Sequence, residues 1–224
     1  MPESRNRQPA AMDYAFRVLR RSLNDLFQAI GSLIFVNLLW IALTLPLITA
    51  PAAMAGLYYY IDLTVRGEEP PLSSFFTGFR RYFVRSWALV ALNLAMLIVL
   101  LINLVFYLNQ VNELIRIIAI PIFYLFLFWC SIQTYLFPLM LAADREEKNE
   151  LNPLPLFKKA ARLTLAEPAY SAFIGLALLA WLVISIALAG PVLILTTSGM
   201  ALIRTRATLA ILGREPEQLK PGWK

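Results

Sequence analysis

The sequence predicts an all-α fold: a polytopic membrane bundle of six transmembrane helices arranged as three hairpins, each preceded by a cytoplasmic interfacial amphipathic helix. Three observations carry that reading. Of 224 residues, 59% are hydrophobic and only 15% charged, with a mean hydropathy of +0.65, whereas a soluble domain carries about 25% charged and roughly 45–50% apolar residues. The apolar runs are separated by short polar or proline-bearing connections. Lysine and arginine gather on alternate connections only. Nothing remains for a separate soluble domain, so a single integral membrane domain over residues 14–213 follows, between a disordered tail over 1–13 and a cytoplasmic tail over 214–224.

From Tyr14 onward, apolar residues recur at three- and four-residue steps (Tyr14, Val18, Leu19, Leu23, Leu26, Phe27, Ile30), while Arg17, Arg20, Arg21, Asn24 and Asp25 fill the other face. A basic amphipathic helix of this kind suits the membrane interface, and a bundle-packing helix is the competing reading. The first span is expected from about Ala29 to Leu45 and the second from about Pro51 to Arg66. Pro46 and Pro51 bracket the outer turn, where a missing N–H is tolerated. Ala50-Pro51-Ala52 resembles a signal-peptidase site, but the apolar segment before it is longer than a signal peptide needs, so it is read as a span.

After the breaker Gly67-Glu68-Glu69-Pro70-Pro71, residues Leu72 to Arg85 form a second interfacial helix. Its Phe75, Phe76, Phe79, Tyr82 and Phe83 oppose Arg80, Arg81 and Arg85. Such aromatics suit the headgroup boundary. The third span covers Trp87 to Leu108, and Asn109-Gln110-Val111-Asn112-Glu113 is its outer turn. The segment Leu114 to Ala143 exceeds the roughly 20 residues a crossing requires, so it is tilted, kinked or projecting, with Pro121 and Pro138 as its weak points. Leu154 to Ala166 is a third amphipathic helix, with Lys158, Lys159 and Arg162 opposite Phe157, Ala160, Ala161 and Leu165. The fifth span covers about Ala169 to Ala189, Gly190-Pro191 turns the chain, and the sixth covers about Val192 to Leu212.

The order interfacial helix, hairpin thus occurs three times, over approximately 14–67, 72–147 and 153–213. A basic pair marks each interfacial helix: Arg20-Arg21, Arg80-Arg81, Lys158-Lys159. The ends of the first and third units align without gaps, Met54-Ala55 on Met200-Ala201, Leu63 on Leu209, Gly67 on Gly213 and Glu69-Pro70 on Glu215-Pro216, which is the signature of an internal repeat. The three outer turns hold no lysine or arginine, and only Arg116 lies near the outer end of a span. The positive-inside rule therefore places both termini in the cytoplasm.

The net charge of +6 and the pI near 9.6 do not point to nucleic acid, because the basic residues flank apolar spans. They suit a bilayer with anionic headgroups. The chain has no histidine, and its one cysteine, Cys130, lies inside an apolar segment. No disulfide framework, no metal-ligand cluster, no phosphate-binding glycine loop and no histidine-supported nucleophile is present in the sequence. The expectation is a protein without enzymatic activity, metal or cofactor.

Ionisable residues at membrane depth usually have a purpose, since each costs about 2.5–3.5 kcal/mol on the insertion scale. Asp62, Arg66, Arg204 and Arg206 are such residues. Arg66 ends its helix, and Asp62 lies four residues earlier, so these two are set to pair. Arg204 lies roughly 20 Å along its helix from Pro191, about 10 Å short of the inner edge of the hydrocarbon. Because its helix and that of Asp62 occupy equivalent places in the repeat, Arg204 or Arg206 is expected to meet Asp62 across the bundle. Snorkelling to the rim is the alternative. Asn37, Asn93, Asn103, Gln133 and Thr134 are span residues suited to interhelical hydrogen bonds or to lining a solute path. Gly56, Gly175 and Gly199 suit close helix packing.

The elements N-L-L-W (Asn37 to Trp40) and L-P-x-x-T-x-P-A (Leu45, Pro46, Thr49, Pro51, Ala52), with the aromatic-basic series Phe75, Phe79, Arg80, Phe83, resemble the signature of the YesL-like family of bacterial multi-pass integral membrane proteins of unknown function. The resemblance extends over about residues 14–213, its later half by hydropathy alone. It implies a bacterial inner-membrane location and an accessory or regulatory role beside a carbohydrate uptake system, with a sugar-transporter subunit as partner. It carries over no catalytic or ligand residue. The competing class is a small transporter or channel using Asn37, Asp62, Gln133 and Arg204.

Overall fold

The computed structural model describes residues 11–145, 152–187 and 191–214, and these residues form helices and short connections with no strand among them. The sequence sets the first break. Helix α1 (Ala11–Gln28) and α2 (Ile30–Thr44) meet at Ala29, with an angle of 87° between them. The expected tail therefore ends early, because residues 11–13 already belong to α1. Its remainder, the acidic run after Arg145, Gly190 and the chain beyond Arg214 lie outside the described residues.

Helix α3 (Ala50–Val65) starts with Pro51 in its first turn, where no N–H is missed. It ends in a Schellman turn: Gly67 adopts φ 81°, its N–H reaches Thr64 O at 3.0 Å, and the Glu68 N–H reaches Leu63 O at 3.1 Å. Helices α4 (Ser73–Arg81) and α5 (Phe83–Leu108) are separated at Tyr82. After the single turn α6 (Glu113–Arg116) comes α7 (Ala119–Ile132), which tolerates Pro121 near its start. The chain breaks at Gln133–Tyr135 before α8 (Leu136–Arg145), because Pro138 cannot donate to the Thr134 carbonyl one turn back. Of the three expectations for this long segment, the kink is the one observed. Helices α9 (Leu154–Ala166), α10 (Pro168–Ala187) and α11 (Pro191–Ile211) complete the chain.

Among the described residues three segments are long and apolar enough to cross a membrane: Phe83–Leu108, Glu113–Ile132 and Pro168–Ala187. The bent pair α1–α2 makes a fourth if it counts as one broken span. Helices α2 and α3, at 15 and 16 residues, measure about 22 and 24 Å, short of a hydrocarbon core of about 30 Å.

The helices pack in a cycle. Neighbours in the chain pair as α2 with α3, α5 with α7, and α10 with α11. The first helix of each pair also leans on the second helix of the preceding pair: α5 on α3, α10 on α7 and, closing the cycle, α2 on α11. The amphipathic helices obey the same rule, with α4 on α3, α9 on α7 and α8, and α1 on α11. Helices α3, α8 and α11 touch one another at the centre. Helix α11 ends as α3 does: Gly213 adopts φ 66°, its N–H reaches Ala210 O at 2.9 Å, and the Arg214 N–H reaches Leu209 O at 2.8 Å. The residues aligned in sequence therefore make the same terminal turn.

The core is formed largely by α3, which buries Ala52, Ala53, Ala55, Leu57, Tyr58, Tyr60, Ile61 and Val65. The lipid-type surface belongs to α5, α7 and α10, with exposed Leu94, Ile98, Ile102, Phe106, Phe123, Leu179 and Ile186. Close approach explains two of the three glycines singled out above. A Cβ on Gly56 would lie 2.7 Å from Phe75 O, and one on Gly199 2.7 Å from the Trp181 ring, whereas Gly175 has open space. The α3–α4 contact also depends on Gly78, where a Cβ would lie 2.4 Å from Tyr59 Cβ.

Two amphipathic faces differ from the expectation. On α1 the packed stripe is Ala15, Val18, Ser22, Asp25 and Leu26, while Phe16 and Phe27 are 62% and 70% exposed. The bundle-packing face is thus narrower and more polar than hydropathy suggests, and the outward aromatics and Arg17, Arg20 and Arg21 are exposed on the other side of the helix. On α4, Phe75 is buried against Gly56, and of the aromatic series only Phe76 is exposed, at 39%.

Candidate functional site

The polar groups of the interior lie in separate places along α3, α8 and α11. Asn37, from the middle of α2, donates through Nδ2 to Ser198 Oγ on α11. Its Oδ1 is buried without a partner, as is Nε1 of Trp40 one turn further along. Thr49 Oγ1 donates to the Leu43 carbonyl and ties off the turn between α2 and α3, where Leu47 takes φ 56°. Pro46 and Pro51 flank that turn. Trp87, near the start of α5, donates through Nε1 to the Ile48 carbonyl at 2.8 Å. From Trp87 to Leu108 the 26-residue helix continues for about 31 Å. The turn of the first pair therefore lies beside the beginning of α5, well short of its far end.

The expected pairing of Asp62 with Arg204 or Arg206 does not form. Asp62 Oδ2 accepts from Arg66 Nε at 3.1 Å, as the four-residue spacing predicts, and from the Arg145 guanidinium at 2.7 Å. Arg206 instead donates through Nε to Asp25 Oδ2 on α1, with side chains only 4% and 2% exposed. Asp25 was missed because an acidic residue beside Arg20, Arg21 and Asn24 reads as part of a solvated face. Its seven-residue spacing from Val18 is the signal that places it on the packed stripe. Among the described residues Arg204 makes one hydrogen bond, from Nη1 to Tyr58 Oη at 3.4 Å, and its Nε is buried without an acceptor. Tyr58 in turn stacks on Phe137 of α8, ring centroids 5.1 Å apart.

A second ionic cluster lies at the end of α8. Asp144 accepts from Arg85 at 2.5 Å, from Arg81 at 2.6 Å and from Tyr82 Oη at 2.9 Å. Burial alone would raise its carboxyl pKa, but the bonds from Arg85 and Tyr82 and the charge of Arg81 outweigh burial and hold it below the usual aspartate value. Tyr82 is pushed well above the usual phenol value, chiefly by burial and then by its bond to Asp144. Because Asp144 and Arg145 are adjacent, the end of α8 grips α3 through Asp62 and the α4–α5 junction through Arg81, Tyr82 and Arg85.

Gln133 also has its own partners: its Nε2 donates to Asn93 Oδ1 at 2.5 Å, beside the Trp129 Nε1 bond to the same oxygen at 2.9 Å. The four residues named for a solute path, Asn37, Asp62, Gln133 and Arg204, are thus not brought into one cluster. Among the interfacial residues, Arg80, Arg81 and Lys158 are exposed, and Phe79 and Lys159 are half-buried. No group of three or more His, Cys, Asp or Glu side chains among the described residues could hold a metal ion.

These features define a class, an all-helical protein with several helices able to cross a membrane and its ionic groups concentrated at helix ends and in the core. Residues 33–104 match the model of a family described as "Protein of unknown function, DUF624". That segment comprises nearly all of α2, then α3, α4 and most of α5, about a third of the chain, and it contains the Asn37–Ala52 elements. No curated protein and no solved structure matches the chain.

Proposed function

We propose that this chain is a multi-pass protein of the bacterial inner membrane, YesL-like in kind. It consists of three helical hairpins with both termini cytoplasmic and acts without enzymatic activity as an accessory or regulatory partner of a carbohydrate uptake system. The cyclic packing, in which each amphipathic helix and each first helix leans on the preceding pair, supports the three-hairpin reading. It extends the sequence repeat to the middle unit, where residue matches are lacking. The count of six crossings requires the first hairpin to traverse fully. Its short helices, and its exposed apolar tip of Leu45, Leu47 and Ile48 beside Trp87, favour a shallow insertion that leaves the sidedness of every basic segment unchanged.

The observation that carries the interfacial role is the exposed combination of apolar and basic residues on the three amphipathic helices. These are Phe16 and Phe27 with Arg17, Arg20 and Arg21; Leu72 and Phe76 with Arg80 and Arg81; and Leu154 and Leu165 with Lys158 and Arg162. Such faces suit an anionic leaflet and a membrane partner alike. Affinity purification from native membranes tests the accessory role: a sugar-transporter subunit should copurify. A protein that comes out alone and conducts solute when reconstituted would overturn it.

A further inference from the structure

We propose that Arg204, with the hydroxyl of Tyr58, is a binding site for a phosphate oxyanion, carried either by an anionic lipid headgroup or by a free phosphate. The argument starts from charge balance. A guanidinium within a bundle of apolar helices is tolerated when an anion or several acceptors compensate it. Three carboxylates among the described residues are committed to other arginines. Asp62 is shared by Arg66 and Arg145, Asp144 by Arg81 and Arg85, and Asp25 is held by Arg206. Among the described residues Arg204 has only the 3.4 Å hydrogen bond to Tyr58 Oη and a buried Nε with no acceptor.

Geometry adds reach. Arg204 is half-buried rather than enclosed. Tyr58 is buried and fixed by its stack on Phe137, so its hydroxyl, which accepts from the Arg204 guanidinium, holds that guanidinium in place. A guanidinium held in this way offers several N–H donors to one tetrahedral oxyanion. The site is independent of the importer reading, since it concerns side chains in the core rather than a protein partner.

The test uses the full chain in detergent micelles. Binding is measured by thermal shift and by native mass spectrometry, in one arm with phosphatidylglycerol and in the other with inorganic phosphate. Arg204→Gln and Tyr58→Phe are compared with the unaltered chain, and Arg204→Lys keeps a cation in place should the glutamine variant fail to fold. Affinity for one of the two probes should fall at least tenfold in Arg204→Gln and measurably in Tyr58→Phe and Arg204→Lys. Loss confined to phosphatidylglycerol identifies a lipid headgroup, and loss confined to phosphate identifies a free ligand. Binding of both probes that is unchanged in Tyr58→Phe and Arg204→Lys, or absent in the unaltered chain, overturns the proposal.

Discussion

Asp25→Asn should destabilise the bundle far more than an acidic residue on an amphipathic helix ordinarily would. The carboxylate meets Arg206 with the two side chains 2% and 4% exposed, so solvent screening is slight. Breaking such a buried pair by removing one partner costs about 3–5 kcal/mol. At 1.4 kcal/mol per factor of ten, that shifts the unfolding equilibrium by two to nearly four orders of magnitude. An exposed pair would give about 0–1 kcal/mol. Because α1 reaches the rest of the chain mainly through α11 and α10, the first consequence should be release of α1. Denaturant titration in micelles, read by circular dichroism and by proteolysis within α1, measures both effects. Asp25→Asn with Arg206→Gln should lose markedly less than the sum of the single changes, since the double variant removes both members of the pair together. Single losses below about 1 kcal/mol that add without coupling would refute the ion-pair reasoning.

The remaining predictions concern other contacts. Thermal stability should fall as pH drops below the ordinary aspartate value near 4, because Asp144 has a lowered folded-state pKa. Its contribution is therefore complete above the unfolded value and is lost as pH falls through the folded one. Asp144→Asn should flatten that acid limb. Gly78→Ala places a Cβ 2.4 Å from Tyr59 Cβ and should cost about 1–3 kcal/mol by forcing α4 from α3, whereas Gly175→Ala, facing open space, should be nearly neutral in the same unfolding assay. Trp87→Phe removes the bond to Ile48 and should lower stability by about 1 kcal/mol, with faster proteolysis of the turn at Pro46.

Helix positions were legible in the sequence because apolar periodicity and proline or glycine breakers are local signals. The expected spans and the helices α2, α3, α5, α10 and α11 agree to within a few residues, and Gly67 and Gly213 mark two equivalent ends. Depth and partnership were not legible. Helix α3 is enclosed by other helices, so its apolar character carries no information about lipid contact. Asp62 and Arg66 sit one turn apart, and their pairing could be read directly. Arg206 with Asp25, and Arg145 with Asp62, join residues far apart in the chain, and hydropathy contains nothing that selects among several arginines. The break at Gln133 followed from Pro138, but the way α8 then turns its Asp144 and Arg145 onto α3 and α4 depends on the cyclic packing.

That cyclic, three-hairpin arrangement with both ends cytoplasmic is the central claim, and thiol labelling in intact cells tests it most directly. Cys130 is replaced by serine, and single cysteines are placed at Asn112, Lys158 and Leu47. The account predicts that a membrane-impermeant maleimide labels the Asn112 position from outside, while Lys158 reacts only after permeabilisation and the shallow turn at Leu47 is protected on the outer face. External labelling at Lys158 would contradict the topology, and external labelling at Leu47 would show that the first hairpin crosses completely.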